Sequence, residues 1–283
     1  MQQTASPNPH SNTPALSLIG SHAGLAALGS EWRQLLEQSP QDNLFLSWEW
    51  VSTWYANFSD SCSLQVVVAR APDDGSLLGI APLAIYPTRV ASLITLRELG
   101  FVGRGLAPDH LDFPIRTGHE RAVTAAFHDW IRTSAGRWDV LQLDGLSATS
   151  PLLRLLTGPP APPWHHRHEI ACPFLTLPDD LSAWLSGLPK KRRYKIRRSL
   201  RQLEEAYPGQ VRLHRVESDT ELPEAFKALV SLHRATRDAR HTGNAFPDPR
   251  HVAFHRQIST LFLAQDRLRL YLLNVGEEVI AAT

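Results

Sequence analysis

Residues Leu64–Ile85 (LQVVVARAPDDGSLLGIAPLAI) decide the fold, because they predict a complete β-hairpin. Two apolar runs flank the segment APDDGS, whose Asp and Gly residues are typical of turns. The same pattern returns at Leu268–Thr283 (LRLYLLNVGEEVIAAT), with a shorter turn around Gly276. A pattern repeated at such a distance along the chain indicates two copies of a domain-sized unit. Because the second copy stops on a strand residue, we expect the second unit to be incomplete.

Composition sets the class of protein. The chain has 283 residues and could form one large domain or two ordinary ones. A hydrophobic fraction of 43% with 20% charged residues is enough to build cores and excludes disorder of the whole chain. The net charge of +1 does not point to any class of partner.

Cysteine usage and the N-terminus indicate location. Cys62 and Cys172 fit neither a disulfide framework nor a repeated metal motif, so we expect two reduced thiols in the cytoplasm. Residues 1–14 are polar and Pro-rich, which predicts a flexible tail rather than a signal peptide. No apolar run reaches the roughly 18–20 residues that span a bilayer, so we expect no transmembrane segment.

Helix and strand patterns alternate along the chain. Apolar spacing predicts one helix over Leu25–Leu36, a second capped by Ser47, and a third over about His119–Ser134. The Pro-rich segment Gly158–Pro163 (GPPAPP) is typical of a linker. We therefore expect three regions: a tail at 1–14, an N-terminal domain at 15–178 and a C-terminal domain at 179–283.

The strongest charge signal is the segment Lys190–Arg201 (KKRRYKIRRSLR), in which eight of twelve residues are Lys or Arg. An apolar stripe predicts that the segment forms one amphipathic helix, with Ile196, Leu200, Leu203 and Tyr207 on that stripe. The cations crowd the N-terminus, where the helix dipole disfavours each of them by about 0.3–1 kcal/mol. Two interpretations stay open: a solvated face, or an anion site formed by Lys190, Lys191, Arg192, Arg193, Arg197 and Arg198.

A helix from about Pro223 to Arg240 carries the second group of candidates. Its buried stripe starts apolar and becomes cationic, as when a helix runs out of a core into a cleft. His233 and Arg237, one turn apart, are candidates to line an acceptor pocket, although a histidine by itself at such a position is more often a packing residue. Asp248 and Pro249 predict the start of a last helix, with Val252, Phe254, Ile258, Leu261 and Phe262 buried.

Other catalytic patterns are weaker. The chain contains no G-x-S-x-G elbow and no P-loop, and the context of neither cysteine suggests a nucleophile. Asp109 and Asp112 fit a cleft or ordinary turns and caps. The cluster His165, His166, His168 and Glu169 fits an exposed loop better than a metal site, because no second ligand group has matching spacing. We therefore expect no metal, and no catalytic residue is identified.

The order of the motifs SWEWVSTW, GIAPLAI, LRELGF, DHLDFPI, KKRRYKIRRSLRQLE, LHRATR and LRLYLLNVGEEVIAAT resembles that of CelD-like proteins of the GNAT acyltransferase superfamily. The resemblance extends from Leu16 to Thr283. Such proteins are similar to the tandem architecture of Fem-type aminoacyltransferases. The resemblance implies an α/β (α+β) fold of two GNAT-like units, each a mixed, mostly antiparallel sheet flanked by helices.

The same resemblance implies transfer of an acyl group, usually acetyl from acetyl-CoA, to an amine or hydroxyl. The acceptor would be a small molecule or saccharide precursor, in polysaccharide or cell-envelope biosynthesis. The family holds CoA with a loop R/Q-x-x-G-x-G/A, which Gly100, Gly103 and Gly105 match only loosely, since Gly100 stands where Arg or Gln is expected. A plain turn is the alternative for these glycines.

Two non-catalytic functions remain as alternatives. The chain could be a degenerate GNAT scaffold, or it could bind nucleic acid or another anion through the helix at 190–201. Tyr194 is the one aromatic residue among the cations of this segment, whereas a single-strand binder needs several aromatic residues interleaved with charge. Nucleic acid is therefore not the expected partner.

Overall fold

A computed structural model describes residues 13–41, 43–91, 94–157, 170–240 and 246–283. The chain divides into two compact units, Met1–His165 with Asp248–Ile258, and His166–Pro247 with Ser259–Thr283. Most of the expected tail, the segment Gly158–Pro163 and the cluster His165–Glu169 lie outside the described residues. The domain boundary near Pro178 stays a prediction.

The sheet of the first unit follows from the first hairpin. Strands β2 and β3 pair antiparallel with Val67 opposite Ala81, which confirms that hairpin. The strand order is β1-β2-β3-β4-β5, antiparallel except for the parallel pair β4 and β5. The strands are β1 (Ala15–Ile19), β2 (Ser63–Arg70), β3 (Leu77–Ala91), β4 (Ile94–Phe101) and β5 (Val140–Gln142).

In the described part of 13–157, five helices accompany this sheet, with short 3-10 turns at Leu44–Leu46 and Ser59–Ser61. They are α1 (His22–Ala27), α2 (Gly29–Glu37), α3 (Trp48–Phe58), α4 (Glu120–Thr133) and α5 (Pro151–Thr157). Ser47 caps α3 as predicted, because its Oγ accepts a hydrogen bond from the backbone N–H of Trp50 at 3.3 Å.

The helix expected over Leu25–Leu36 is two helices instead of one. The break falls at Leu28, between the end of α1 at Ala27 and the start of α2 at Gly29. A Cβ atom at Gly29 would lie 3.1 Å from the Trp48 ring, so glycine at this position lets the indole pack closely. Because this contact is with a residue outside both helices, local spacing could not reveal it.

The core of the first unit lies between the sheet and α4. Val123, Phe127 and Ile131 of α4 are fully buried, as their spacing predicted. The close approach of α4 to β3 requires a glycine, since a Cβ atom at Gly79 would lie 2.6 Å from Val123 Cγ1. Packing against α4 therefore fixes the position of β3.

The second unit contains a three-stranded antiparallel sheet in the order β6-β7-β8. One cluster of buried residues beside this sheet consists of Val216, Leu222, Ala225, Leu270 and Leu272. Asp248–Ile258, which include the start of α9 (Pro249–Ala264), belong to the first unit, and the rest of α9 belongs to the second. The elements are α6 (Leu181–Gly187), α7 (Lys190–Ala206), β6 (Val211–Arg215), α8 (Leu222–Arg240), α9 (Pro249–Ala264), β7 (Tyr271–Val275) and β8 (Glu278–Ala282).

Strands β7 and β8 confirm the second hairpin, although β7 begins at Tyr271 rather than Leu268. Both hairpins contain a shift of pairing register, between Ala69 and Arg70 in the first and between Leu273 and Asn274 in the second. When the runs LQVVVAR and LRLYLLN are aligned, these two shifts fall at the same position. A shared bulge supports the interpretation of the hairpins as copies.

Some residues of the predicted apolar faces in the second half of the chain are exposed in the structure. Leu200 is 56% exposed and Tyr207 is 44% exposed, so the apolar stripe of α7 is not buried. Leu261 of α9 is 38% exposed, whereas Phe254, Ile258 and Phe262 are buried as expected. Within the described ranges, no helix has both the length and the apolar character needed to cross a membrane.

Candidate functional site

The first turn of the basic helix α7 contains cations and no acidic residue. Pro189 precedes the helix, and no side chain in the described part caps its N-terminus. Among the 17 residues of α7, all described, none is buried. Backbone N–H groups and cationic side chains therefore share one end of the helix, which is an arrangement that binds anions.

Most of these cations lack carboxylate partners. Across the described ranges, no ion pair involves Lys190, Lys191, Arg192, Arg197 or Arg198. Arg193 instead donates to the carbonyl oxygen of Ser186 at 2.9 Å. Further along the helix, Arg201 faces Glu205 at 3.7 Å. Positive charge is thus compensated only towards the C-terminal half of α7.

His233 and Arg237 lie one turn apart on α8. The His233 ring is half-buried and meets the Phe246 ring edge-on at a centroid distance of 5.2 Å. Phe226 also meets the Phe246 ring, at 6.2 Å. Arg237 is exposed in the last turns of α8, where a cation complements the helix dipole. The structure therefore gives His233 a packing contact, and the acceptor-pocket role stays a prediction.

The three glycines of the loosely matched loop have separate structural reasons. Gly100 lies within β4, where a Cβ atom would approach the backbone oxygen of Gln142 to 2.9 Å. Gly103 and Gly105 have φ angles of 110° and 89°, in the left-handed region that favours glycine. Gly100 is thus part of the sheet, and only the other two form a turn after it.

That turn leads to a cleft that sequence reasoning missed. The cleft has a volume of about 270 Å³ and lies within the first unit. We call it the aromatic cleft; its lining includes Trp54, Phe58, Tyr86, Arg104, Arg250 and His251. Arg250 and His251 come from the start of α9, far along the chain from the rest, so no local pattern could join them. The only sequence signal was the predicted helix start at Asp248.

Arg104 is fixed on one side of the aromatic cleft. Its guanidinium lies 4.1 Å from the centroid of the Tyr86 ring and forms an ion pair with Glu98, which is 6% exposed. Thr88 Oγ1 donates to the other oxygen of Glu98 at 2.9 Å. The Tyr86 hydroxyl donates to the carbonyl oxygen of Phe101 at 2.8 Å, and burial raises the pKa of this phenol. Tyr86 therefore lines the cleft as a neutral, protonated phenol at neutral pH.

Asp248 organises the other side. Its Oδ1 accepts hydrogen bonds from the backbone N–H groups of Arg250 and His251, at 2.9 and 3.1 Å. The same oxygen lies 2.9 Å from Nδ1 of His251. The hydrogen bond from His251 is the main cause that lowers the pKa of Asp248 to about 2. An ionised Asp248 thus both caps α9 and orients the His251 ring.

Arg250 also lines this side of the cleft, and His255 lies one turn after His251 on α9. Arg250 Nη1 lies 3.2 Å from Asp60 Oδ1, and its guanidinium lies 5.4 Å from the centroid of the Phe58 ring. Burial, followed by the charge of His251, lowers the pKa of His255 to about 4. His255 is therefore neutral at physiological pH. The described residues contain no group of three or more side chains suited to hold a metal ion.

Comparison with known proteins finds similarity to a domain family and to a solved structure. Residues 190–283 match the model of an acetyltransferase (GNAT) domain. The crystal structure of FemX resembles the chain with a TM-score of 0.50 and 15% identity, covering 87% of this chain and 56% of the FemX chain. The chain thus spans little more than half the length of FemX, and at this identity the likeness shows the fold alone. No curated protein matches the sequence.

The domain match supports a GNAT assignment for residues 190–283, and the two findings confirm the α/β fold class. The candidates on α7 and α8 all lie inside the matched range 190–283. Of the residues that line the aromatic cleft, only Arg250 and His251 lie inside this range. The narrower CelD-like assignment stays a prediction.

Proposed function

We propose that the protein is a GNAT-type acyltransferase that moves an acetyl group from acetyl-CoA to an amine or hydroxyl of a small molecule or saccharide precursor. The observation that carries this proposal is the match of residues 190–283 to the GNAT domain model. The duplicated hairpin with its shared register shift supports the tandem arrangement.

Acyl-CoA supplies the acyl group as an activated thioester. The acceptor nitrogen or oxygen attacks the thioester carbonyl, a new C–N or C–O bond forms as the C–S bond breaks, and the acceptor proton ends on the thiol of CoA. Because no covalent enzyme intermediate is needed, the protein has to position both substrates and provide hydrogen-bond donors.

The basic helix is the part of the described chain that fits the phosphates of CoA. Its N-terminal N–H groups and the side chains of Lys190, Lys191 and Arg192 can hold phosphate oxygens without competition from acids. Arg193, Arg197 and Arg198 add positive charge on the same helix. Gly100 does not fit a phosphate loop, because its missing side chain serves the pairing of β4 with β5. Gly103 and Gly105, in the turn after β4, stay cofactor-binding candidates of the first unit, considered apart from the basic helix.

His233 and Arg237 are proposed to line the acceptor pocket. Their one-turn spacing on α8 lets one cation and one imidazole face the same ligand. A role in polysaccharide or cell-envelope biosynthesis follows only from the CelD-like resemblance and is part of the same proposal, as is a cytoplasmic location.

The proposal is tested by following thiol release from acetyl-CoA in the presence of a panel of amino sugars, sugars and simple amines. We expect release that depends on both the protein and one class of acceptor. Lys190→Glu/Lys191→Glu should raise KM for acetyl-CoA, and Lys227→Glu on α8 is the matched control. If no acceptor stimulates thiol release and the protein also fails to bind acetyl-CoA, the result would instead support a non-catalytic scaffold.

A further inference from the structure

One continuous segment of the second unit is exposed along nearly its whole length. Of residues 170–207, all of which the structure describes, Leu185 alone is buried. Residues 170–178 belong to no helix or strand, and α6 and α7 follow them in the chain. We call residues 170–207 the exposed segment.

The first part of the exposed segment presents large apolar side chains to solvent. Phe174 is 92% exposed and Leu177 is 77% exposed. Ile170, Leu175 and Leu181 are exposed as well. Single apolar side chains are normal on a protein surface, whereas a cluster such as this one marks a surface that binds something.

The apolar stripe of α7 is also open to solvent. Leu200 and Tyr207 are exposed on this stripe, two turns apart. Helical spacing places Lys195 beside one edge of the stripe and Arg197 beside the other. A helix with an open apolar stripe and flanking cations has the features of a helix that lies flat in a membrane interface.

The exposed segment concentrates the positive charge of the chain. It contains eight Lys or Arg residues and four Asp or Glu residues, hence a net charge of +4, while the whole chain has a net charge of +1. The rest of the chain therefore carries a net charge of −3. An anionic surface is thus attracted by the segment that also exposes the apolar side chains.

The combination of apolar groups and cations selects among anionic partners. Nucleic acid would pair with the cations but leave Phe174 and Leu177 in water, and Tyr194 is the one ring among the charges of 190–201 that could stack on a base. A bilayer with anionic phospholipids satisfies both kinds of side chain, because its acyl region accepts the apolar groups and its headgroups attract the cations.

We propose that the exposed segment is an interfacial element that holds the protein on the surface of a bilayer containing anionic phospholipids. Phe174, Leu177 and the stripe of α7 enter the boundary between headgroups and acyl chains. Lys195, which the proposed CoA contacts do not include, meets lipid phosphates. The inference goes beyond acyl transfer, since residues 170–181 have no part in the CoA and acceptor contacts and vesicle binding needs no acetyl-CoA.

The test is co-sedimentation of the full chain with lipid vesicles, without acetyl-CoA. We expect vesicles of phosphatidylcholine with about 30% phosphatidylglycerol to bind at least about tenfold more strongly than pure phosphatidylcholine vesicles, and added salt to weaken this binding. Phe174→Ser/Leu177→Ser should weaken binding to the anionic vesicles about tenfold. Val90→Ser/Ile94→Ser is the matched control, because these two side chains are 62% and 55% exposed in the first unit.

The charge is tested separately from the apolar groups. Lys195→Glu should weaken binding to the anionic vesicles about fivefold or more, because a cation is lost and an anion is gained near the lipid headgroups. Lys227→Glu is the matched control, since Lys227 is an exposed lysine of α8, outside the exposed segment.

Cys172 gives a readout of the environment beside Phe174. It is exposed, whereas burial is the main cause that raises the pKa of Cys62 to about 11, so a thiol-reactive nitrobenzoxadiazole dye labels Cys172 preferentially. Anionic vesicles should shift the emission of this label to shorter wavelength, because the label enters an apolar environment. A short oligonucleotide should not.

Four results would overturn the proposal. They are no binding of anionic vesicles by the unmodified protein, equal losses in Phe174→Ser/Leu177→Ser and Val90→Ser/Ile94→Ser, equal losses in Lys195→Glu and Lys227→Glu, and unchanged emission of the label on bound vesicles. Oligonucleotide binding that is tighter than vesicle binding and unaffected by Phe174→Ser/Leu177→Ser would also contradict it and assign the cations to nucleic acid.

Discussion

A Cβ atom at Gly100 would lie 2.9 Å from the backbone oxygen of Gln142, so the parallel pairing of β4 with β5 depends on a missing side chain. The residue that sequence similarity had suggested for a CoA loop is thereby part of the sheet. Its nearest neighbour is backbone, which cannot rotate away as a flexible side chain can.

Gly100→Ala is therefore expected to lower the free energy of unfolding by about 1–3 kcal/mol, because the new methyl group pushes β5 away from β4. Urea denaturation followed by circular dichroism measures the change. Gly136→Ala is the matched control, since no heavy atom lies within 4 Å of the position that its new methyl group would occupy. Equal stability of the two variants would show that β5 tolerates displacement.

The ion pair between Glu98 and Arg104 gives a second prediction. Arg104→Gln leaves the carboxylate of Glu98 buried with only Thr88 as a partner, which we expect to cost about 2 kcal/mol. The cost is below that of a fully buried pair because Arg104 is 38% exposed. Adding Glu98→Gln should recover at least about 1 kcal/mol in a double-mutant cycle. Strictly additive losses would mean that the two side chains do not interact energetically.

Asp248 predicts a dependence of stability on pH. Its pKa is about 2 in the folded protein and 3.8 in the reference state, so the folded state favours the ionised form. The contribution is present above pH 3.8 and is lost as the pH falls towards 2. Asp248→Asn should thus lower the Tm at pH 6 and have a smaller effect at pH 3, while Asp73→Asn in the exposed hairpin turn serves as control. The same loss of Tm at both pH values would contradict the stabilising charge.

Replacing cations at the start of the basic helix should stabilise the folded protein and weaken the binding of phosphate groups. Replacing Lys190 and Lys191 with Glu places anions at the helix N-terminus, which favours the folded helix by about 0.3–1 kcal/mol per charge. The same double variant should bind 3′-phosphoadenosine 5′-phosphate, used as a fragment of CoA, about tenfold more weakly. Differential scanning calorimetry and a binding titration provide the two values. Unchanged binding in a stabilised variant would assign α7 to a solvated face.

Local patterns were sufficient for the parts of the fold that local interactions determine. The hairpin at Leu64–Ile85, the Ser47 cap and the buried face of α4 follow from turn chemistry, capping and spacing over a few residues. The break at Leu28 could not be predicted, because it accompanies the packing of the Trp48 ring on Gly29.

The candidate sites show the same division. The cations of α7 stand next to one another in the sequence and were found there. The aromatic cleft combines residues of α3, β3 and the turn after β4 with Arg250 and His251 of α9, and only the folded chain brings them together. Its one local signal was Asp248, which was recognised as a helix cap but not as the partner of His251.

The central claim, that the chain is a GNAT-type acyltransferase, is tested most directly by calorimetric titration of the protein with acetyl-CoA. We predict saturable binding with a Kd of roughly 1 µM to 1 mM, weakened by Lys190→Glu/Lys191→Glu and unaffected by Lys227→Glu. Absence of saturable binding by the unmodified, folded protein would contradict the claim, whereas equal binding by both variants would contradict only the role of α7 in that binding.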